Sequence, residues 1–126
     1  MDTQELKATL IDLRSRLDEI KENVFKINSK EKRLLVIDDD LSKEEVWSDL
    51  ELSHKLSKEK TLIQKTLTSF NDVANKLSDC EVLLDVSIEE NDDSSINDIS
   101  NDIQDIQSSI EELEFSKMFT NKMDPA

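Results

Sequence analysis

The sequence predicts an all-α protein, an antiparallel bundle of three to four helices whose long members resemble a coiled coil. Three observations carry that expectation. Aliphatic residues recur at spacings of three and four along four stretches. The 126 residues include no glycine, and the one proline, Pro125, lies next to the last residue. Tight β-hairpins favour Asn-Gly or Asp-Gly at their turns, so a chain without glycine is poorly suited to them, whereas helices lose nothing. The same absence rules out glycine-rich phosphate loops.

The first helix is expected from about Thr3 to Phe25, where Leu6, Leu10, Leu13, Leu17, Ile20, Val24 and Ile27 form one narrow stripe. Asp2 or Thr3 caps its start, and Glu5 suits the positive end of the helix dipole. Asn28 and Ser29 interrupt the stripe and read as a new N-cap. A short second helix, about Lys30 to Asp40, should turn Leu34, Leu35 and Ile37 inward. It should fray at Asp38-Asp39-Asp40, because negative charge is disfavoured at a helix C-terminus. Leu41 to Leu50 is a connector or a single turn centred on Val46 and Trp47.

A long helix is expected to begin near Leu50, with Leu56, Ile63, Phe70, Leu77 and Leu84 at every seventh position and Leu52, Leu67, Val73, Ala74 and Cys80 widening the stripe. About thirty-five residues at 1.5 Å each span roughly 50 Å. The polar run Glu89 to Asp93 breaks it, and Ser94 or Ser95 caps the next helix. That helix carries Ile96, Ile99, Ile103, Ile106, Ile110 and Leu113, and a short loop makes the two antiparallel neighbours. The first helix lays its stripe into their groove. The bundle is thus assigned to residues 1–117, and 118–126 to an exit segment toward a following domain.

Charge is unevenly spread. Thirteen of the 30 acidic residues fall between Leu77 and Ser116, a stretch without Lys or Arg, and the remaining 17 face 16 basic residues, within a net charge of −14. An acidic segment repels nucleic acid backbones. Any RNA contact is therefore expected in the balanced part, at Lys26, Lys30, Lys32 and Arg33 or at Lys55, Lys58, Lys60 and Lys65. The competing reading is that both clusters are ordinary solvated helix faces. No run of about 18 apolar residues would span a membrane. The charged, heptad-patterned N-terminus is unlike a signal peptide, and the single Cys80 can form no internal disulfide. These features lead us to expect a cytoplasmic protein.

Catalytic groups are not in evidence. His54 is the one histidine and has no second His or Cys nearby in sequence, so neither a metal site nor a nucleophile–base pair is supported. Cys80 lies on the long stripe between Asp79 and Glu81, a setting for a small core residue rather than a reactive thiol. No cofactor or small-molecule ligand is expected. Trp47 is expected to plug the end of the bundle where the connector crosses.

Three local patterns are more specific than the heptads. Glu45-Val46-Trp47-Ser48-Asp49 resembles the short Trp connector of the bacterial peptide chain release factor 2 family. Lys58-Glu59, eleven residues after that Trp, resembles its Lys-Glu pair early in the long helix. Leu113-Glu114-Phe115-Ser116-Lys117-Met118-Phe119 is similar to its Leu-Glu-Phe-x-x-Met-Phe exit. The resemblance covers about Leu6 to Phe119 and concerns the family's N-terminal helical domain. The segment from Glu89 to Asp105 departs from it, being richer in Asn and Ser.

That resemblance implies a part in translation termination at UAA and UGA. The partners it implies are the ribosome (the stalk-base protein and rRNA), the remaining domains of the same factor and the class-II release factor GTPase. The family's codon-reading Ser-Pro-Phe and hydrolysis-promoting Gly-Gly-Gln lie in later domains, and neither occurs here. The chain is therefore expected to be no enzyme by itself, with Phe115, Met118 and Phe119 meeting the next domain. The rival readings are a free-standing acidic coiled-coil adaptor, dimerising through open seams, and an acidic mimic of nucleic acid that blocks a basic protein.

Overall fold

The structure is a computed structural model that describes the backbone of residues 2–123 and the side chains of residues 2–116. Among the described residues the chain is helical and has no strand. Its elements are α1 (Thr3–Glu19), a π-turn (Ile20–Val24), α2 (Ile27–Leu41), α3 (Glu44–Trp47), α4 (Leu50–Glu89) and α5 (Asp93–Met123). The expected all-α bundle is what forms, with α4, at 40 residues, as its spine.

Two coverings share that spine. Over its C-terminal half, α1 and α5 close a three-helix core in which Leu6, Leu13, Leu77, Ile103 and Ile110 are fully buried. Over its N-terminal half, α2 and the single turn α3 cover Leu56 and Ile63, with Ile37 at the centre and Val46 packed against them. Leu67 touches both clusters and joins them. Cross-helix pairs fix the directions: Arg14 meets Glu81, Arg33 meets Glu59 and Asp38 meets Lys60. From Arg14 on α1 to Arg33 and Asp38 on α2, the partners move back along α4 from Glu81 to Glu59 and Lys60. Both helices therefore run antiparallel to α4, one beyond the other, and the link between them is a jog rather than a reversal. The heptad stripe of α4 is thus covered within the chain.

The jog is made without glycine. Phe25 N–H donates to the Ile20 carbonyl at 2.8 Å, the wide hydrogen bond of a π-turn. That turn brings Ile20 and Phe25, five residues apart, onto the same inward face. Lys26 then takes a left-handed conformation (φ 48°), and Lys30 Nζ donates to the Phe25 carbonyl at 2.7 Å. The break expected at Asn28-Ser29 is thus at Lys26. Because α2 starts at Ile27, its inward stripe is Ile27, Leu34, Ile37 and Leu41. Leu35 is off that stripe and 71 % exposed, contrary to the inward placement expected for it.

Nor does α2 fray at its three aspartates. Lys60 reaches Asp38 at 2.6 Å from α4, and Lys43 lies 3.5 Å from Asp39 and 3.4 Å from Asp40. Cations beyond the last turn oppose the unfavourable dipole interaction. At the other hairpin, Asn91 is left-handed (φ 55°) and closes α4: its N–H donates to the Ile88 carbonyl and the Asp92 N–H to the Ser87 carbonyl. This is a Schellman closure with Asn in the place glycine usually takes. Asp92, rather than Ser94 or Ser95, caps α5, accepting from the Ser95 N–H at 3.1 Å and the Ser95 hydroxyl at 2.7 Å. The backbone of α5 continues helical to Met123.

Trp47 does not plug the bundle. Neighbouring residues on one helical turn point about 100° apart, and in α3 the inward position goes to Val46, leaving Trp47 54 % exposed. As the sole tryptophan, it should be readily quenched by acrylamide in the folded protein. Trp47→Ala should cost well under the ~3–5 kcal/mol that truncating a buried tryptophan costs. A shielded, blue-shifted emission would contradict this placement.

Core truncations should separate sharply from surface ones. Leu77→Ala, at a fully buried site, should lower unfolding free energy by about 2–5 kcal/mol in urea titrations. Leu35→Ala should change it by no more than about 0.5 kcal/mol. Equal losses would refute the assigned α2 register.

The α5 cap carries a pH signature. Its bonds from the Ser95 hydroxyl and N–H hold the Asp92 carboxyl below its ordinary value of 3.8. A depressed folded value stabilises the fold fully above the unfolded value and loses that contribution as pH falls through the folded one. Thermal melts of wild type and Asp92→Ala should therefore differ most near neutral pH and converge as the pH drops below 3.8. A difference that stays constant into acid would remove the cap from the account.

Candidate functional site

The one histidine and the one cysteine lie far apart along α4. His54 lies on an exposed position of α4. Cys80 is buried between α4 and α5, and burial, with Asp102, Asp79 and Glu81 adding their charge, pushes its thiol pKa up. Among these residues no three His, Cys, Asp or Glu side chains gather so as to hold a metal ion. No described helix is long and apolar enough to cross a membrane.

Instead, the molecule presents surfaces of opposite character at its two ends. The α2–α4 end gathers cations around one carboxylate. Lys26, Ser29, Lys30 and Arg33 line a shallow groove with Glu59, Leu62 and Ile63. Arg33 is not free within it: its Nε and Nη2 donate to the two Glu59 oxygens at 2.6 and 3.0 Å. That bond holds the Glu59 carboxyl below its usual range against the opposing effect of burial, and the charges of Arg33 and Lys55 add to the lowering. Lys55 therefore belongs to the same neighbourhood, so the two basic clusters of the sequence meet across the α2–α4 seam.

Their availability differs. Lys26 and Lys32 are exposed on α2, and Lys55 and Lys58 on α4. Lys30 is half-buried and spent on the Phe25 carbonyl. Lys60, grouped with the second basic cluster in the sequence, is paired to Asp38. The left-handed turn at Lys26 projects the first of these cations from the corner between the two coverings of α4. The single turn α3 presents Trp47 at the N-terminal end of α4, beside the exposed Leu50.

The opposite end is acidic, and its charge is partly used internally. Arg14 bridges α1 to α4 through Glu81 and Ser78, and Arg16 bridges α1 to α5 through Glu114. Phe115 is 68 % exposed on α5. The side chains of Met118 and Phe119, expected to act with it, lie outside the described residues. Six exposed aliphatics escaped the sequence reading: Ile11 on α1, Val36 on α2, Leu62 beside the basic groove, and Val82, Leu83 and Val86 further along α4. The available signal was their position just off the heptad stripe, where a solvated helix would carry polar residues.

Comparison of the sequence with known proteins matches the chain to a family. The PCRF domain matches residues 30–126, which takes in α2 through α5. Peptide chain release factor 2 of Buchnera aphidicola subsp. Schizaphis graminum is 38 % identical over 96 residues, 76 % of this chain and 26 % of that protein. Peptide chain release factor 2 of Campylobacter fetus subsp. fetus is 32 % identical over 124 residues, 98 % of this chain and 33 % of that protein. The corresponding factor of Xanthomonas euvesicatoria pv. vesicatoria is 29 % identical over all 126 residues, 33 % of its length. The chain thus spans no more than about a third of the curated relatives it matches. A glycine-free helical bundle with an exposed Trp turn, a long central helix and an isoleucine-rich return helix belongs to the PCRF domain family, in the form similar to peptide chain release factor 2.

Proposed function

We propose that this chain is the ribosome-docking helical domain of a class-I release factor, supporting termination at UAA and UGA without performing the hydrolysis. The observation that carries the reading is the PCRF match across four helices, together with similarity to release factor 2 along the whole chain. With no glycine and a single proline followed by Ala126, these 126 residues contain neither a Gly-Gly-Gln loop nor a Ser-Pro-Phe reader. A role in positioning fits a chain whose carboxylates serve caps and cross-helix pairs.

Charge favours one orientation on the ribosome. Neutralising phosphates requires free cations, and Lys26, Lys32, Lys55 and Lys58 supply them at the α2–α4 end, with Lys30 and Arg33 lending positive field behind them. That end faces rRNA at the stalk base in this reading, with Val46 holding the α3 turn from inside and Trp47 presented toward the stalk-base protein. The acidic end faces away from RNA. Phe115, with Met118 and Phe119, adjoins the remaining domains of the factor, and the class-II release factor GTPase acts at the same stalk. A cytoplasmic location follows from that role.

The test uses ribosomes holding a peptidyl-tRNA with UGA in the decoding site. The chain should sediment with them, compete weakly with full-length release factor 2 and release no peptide. Replacing Lys26, Lys32, Lys55 and Lys58 by Glu should weaken association and flatten its salt dependence by roughly 0.7–0.9 log units per lost phosphate contact. Peptide release by the chain alone would overturn the assignment, and unchanged binding by the fourfold variant would overturn the orientation.

A further inference from the structure

The α4–α5 hairpin has two long grooves, and α1 fills one of them. Its manner of filling shows what such a groove accepts. Leu6, Leu10, Leu13 and Leu17 are buried to 5 % exposure or less along the floor. From the flanks of α1, Arg14 reaches Glu81 on the α4 rim and Arg16 reaches Glu114 on the α5 rim, each with two N–H donors. The seated helix therefore has an aliphatic ridge edged by arginines, and the groove has an aliphatic floor edged by carboxylates.

The second groove has the same composition and nothing over it among the described residues. Asp79 and Leu83 stand roughly 150° around the α4 axis from the Ser78–Glu81 flank that holds α1. Buried Cys80 and Ile106 form the floor of this groove, and Asp79 on one side and Asp102 and Asp105 on the other form its rims. Leu83, also lining the groove, is 50 % exposed there. Lys76 is the one cation among its lining residues. From Leu77 to Ser116 the hairpin has no Lys or Arg with which to neutralise these rims itself.

We propose that this uncovered α4–α5 groove docks an amphipathic helix of another protein, one bearing a Leu/Ile ridge flanked by Lys or Arg. Apolar contact with Leu83 above the Cys80–Ile106 floor holds the ridge, and carboxylate rims select the basic flanks and disfavour acidic helices. A second copy of this chain is a poor occupant, since each copy has a net charge of −14 and its own arginine-edged helix is already seated. The inference stands on the hairpin's geometry and is independent of the termination reading.

The probe is a fluorescent synthetic helix of about 18 residues, five turns, with Leu and Ile at three–four spacing and Lys and Arg alongside. Anisotropy titration with the chain should show saturable one-to-one binding that weakens with salt. Backbone amide shifts in NMR spectra should cluster around Leu83, Asp102 and Asp105. Leu83→Asp, and separately the pair Asp102→Lys with Asp105→Lys, should each weaken binding about tenfold or more. All three positions are exposed, so circular dichroism should be unchanged, and the pair serves if Leu83→Asp perturbs the fold. A probe with Ser in place of Leu and Ile but the same charges should lose about tenfold as well. Equal binding of that serine probe would reduce the effect to general charge attraction and overturn the proposal. So would wild-type binding by both variants, shifts confined to the α2–α3 end, or sedimentation showing that the groove pairs two copies of the chain.

Discussion

A helix of 40 residues is stable in water only if its apolar side is covered along its length, because propensity alone contributes little. The seam on α4 from Leu56 to Leu84 is that side, and everything else in the molecule answers to it. No single helix covers it. The α1 and α5 pair closes the C-terminal half, while α2 and α3 close the N-terminal half. Meeting this requirement with two coverings creates the jog at Lys26, and the jog in turn creates the basic corner. Local backbone strain at a left-handed lysine is the consequence of handing the seam from one helix to the next, and the buried Ile20, Phe25 and Ile27 around it hold the chain in that shape.

The ion pairs are better understood as register marks than as sources of stability. Exposed pairs contribute on the order of 0–1 kcal/mol, and Arg14–Glu81 and Arg16–Glu114 both stand about a third open to solvent. Their two-pronged geometry nevertheless admits only one sliding position of α1 over α4 and α5. Leucine stripes by themselves are less discriminating, since a shift by one heptad can bring similar side chains together. Arg33–Glu59 and Lys60–Asp38 do the same for α2. The carboxylates at these crossings are thus partly structural, whereas those on the open α4–α5 flank have no such employment.

Charge is segregated along the spine as a result. Cations collect where α2 meets the first half of α4, and the hairpin beyond Leu77 is acidic. One elongated domain therefore offers a face suited to phosphate at one end and a face suited to basic protein at the other. A thin core with long helices permits this, because its surface is large relative to its interior.

The sequence by itself determined the helices, the core stripes and the family, because three–four periodicity is a local property and because the Trp connector and the Leu-Glu-Phe-x-x-Met-Phe run are local words. The start of α1, the extent of α4 and the inward isoleucines of α5 could all be read that way. Only the tertiary structure decided the finer register. Leu35 looked as apolar as Leu34, yet the start of α2 at Ile27, set by a π-turn and a left-handed lysine with no glycine to announce them, put it in solvent. Trp47 looked like the natural plug, but a single turn can send only one of two neighbours inward, and packing against Ile37 and Leu56 chose Val46. The fate of each charged cluster was equally unreadable. Whether Arg33 is free or held by Glu59, and whether Asp38 ends a helix or is neutralised by Lys60, depends on residues more than twenty positions away that only folding brings within reach.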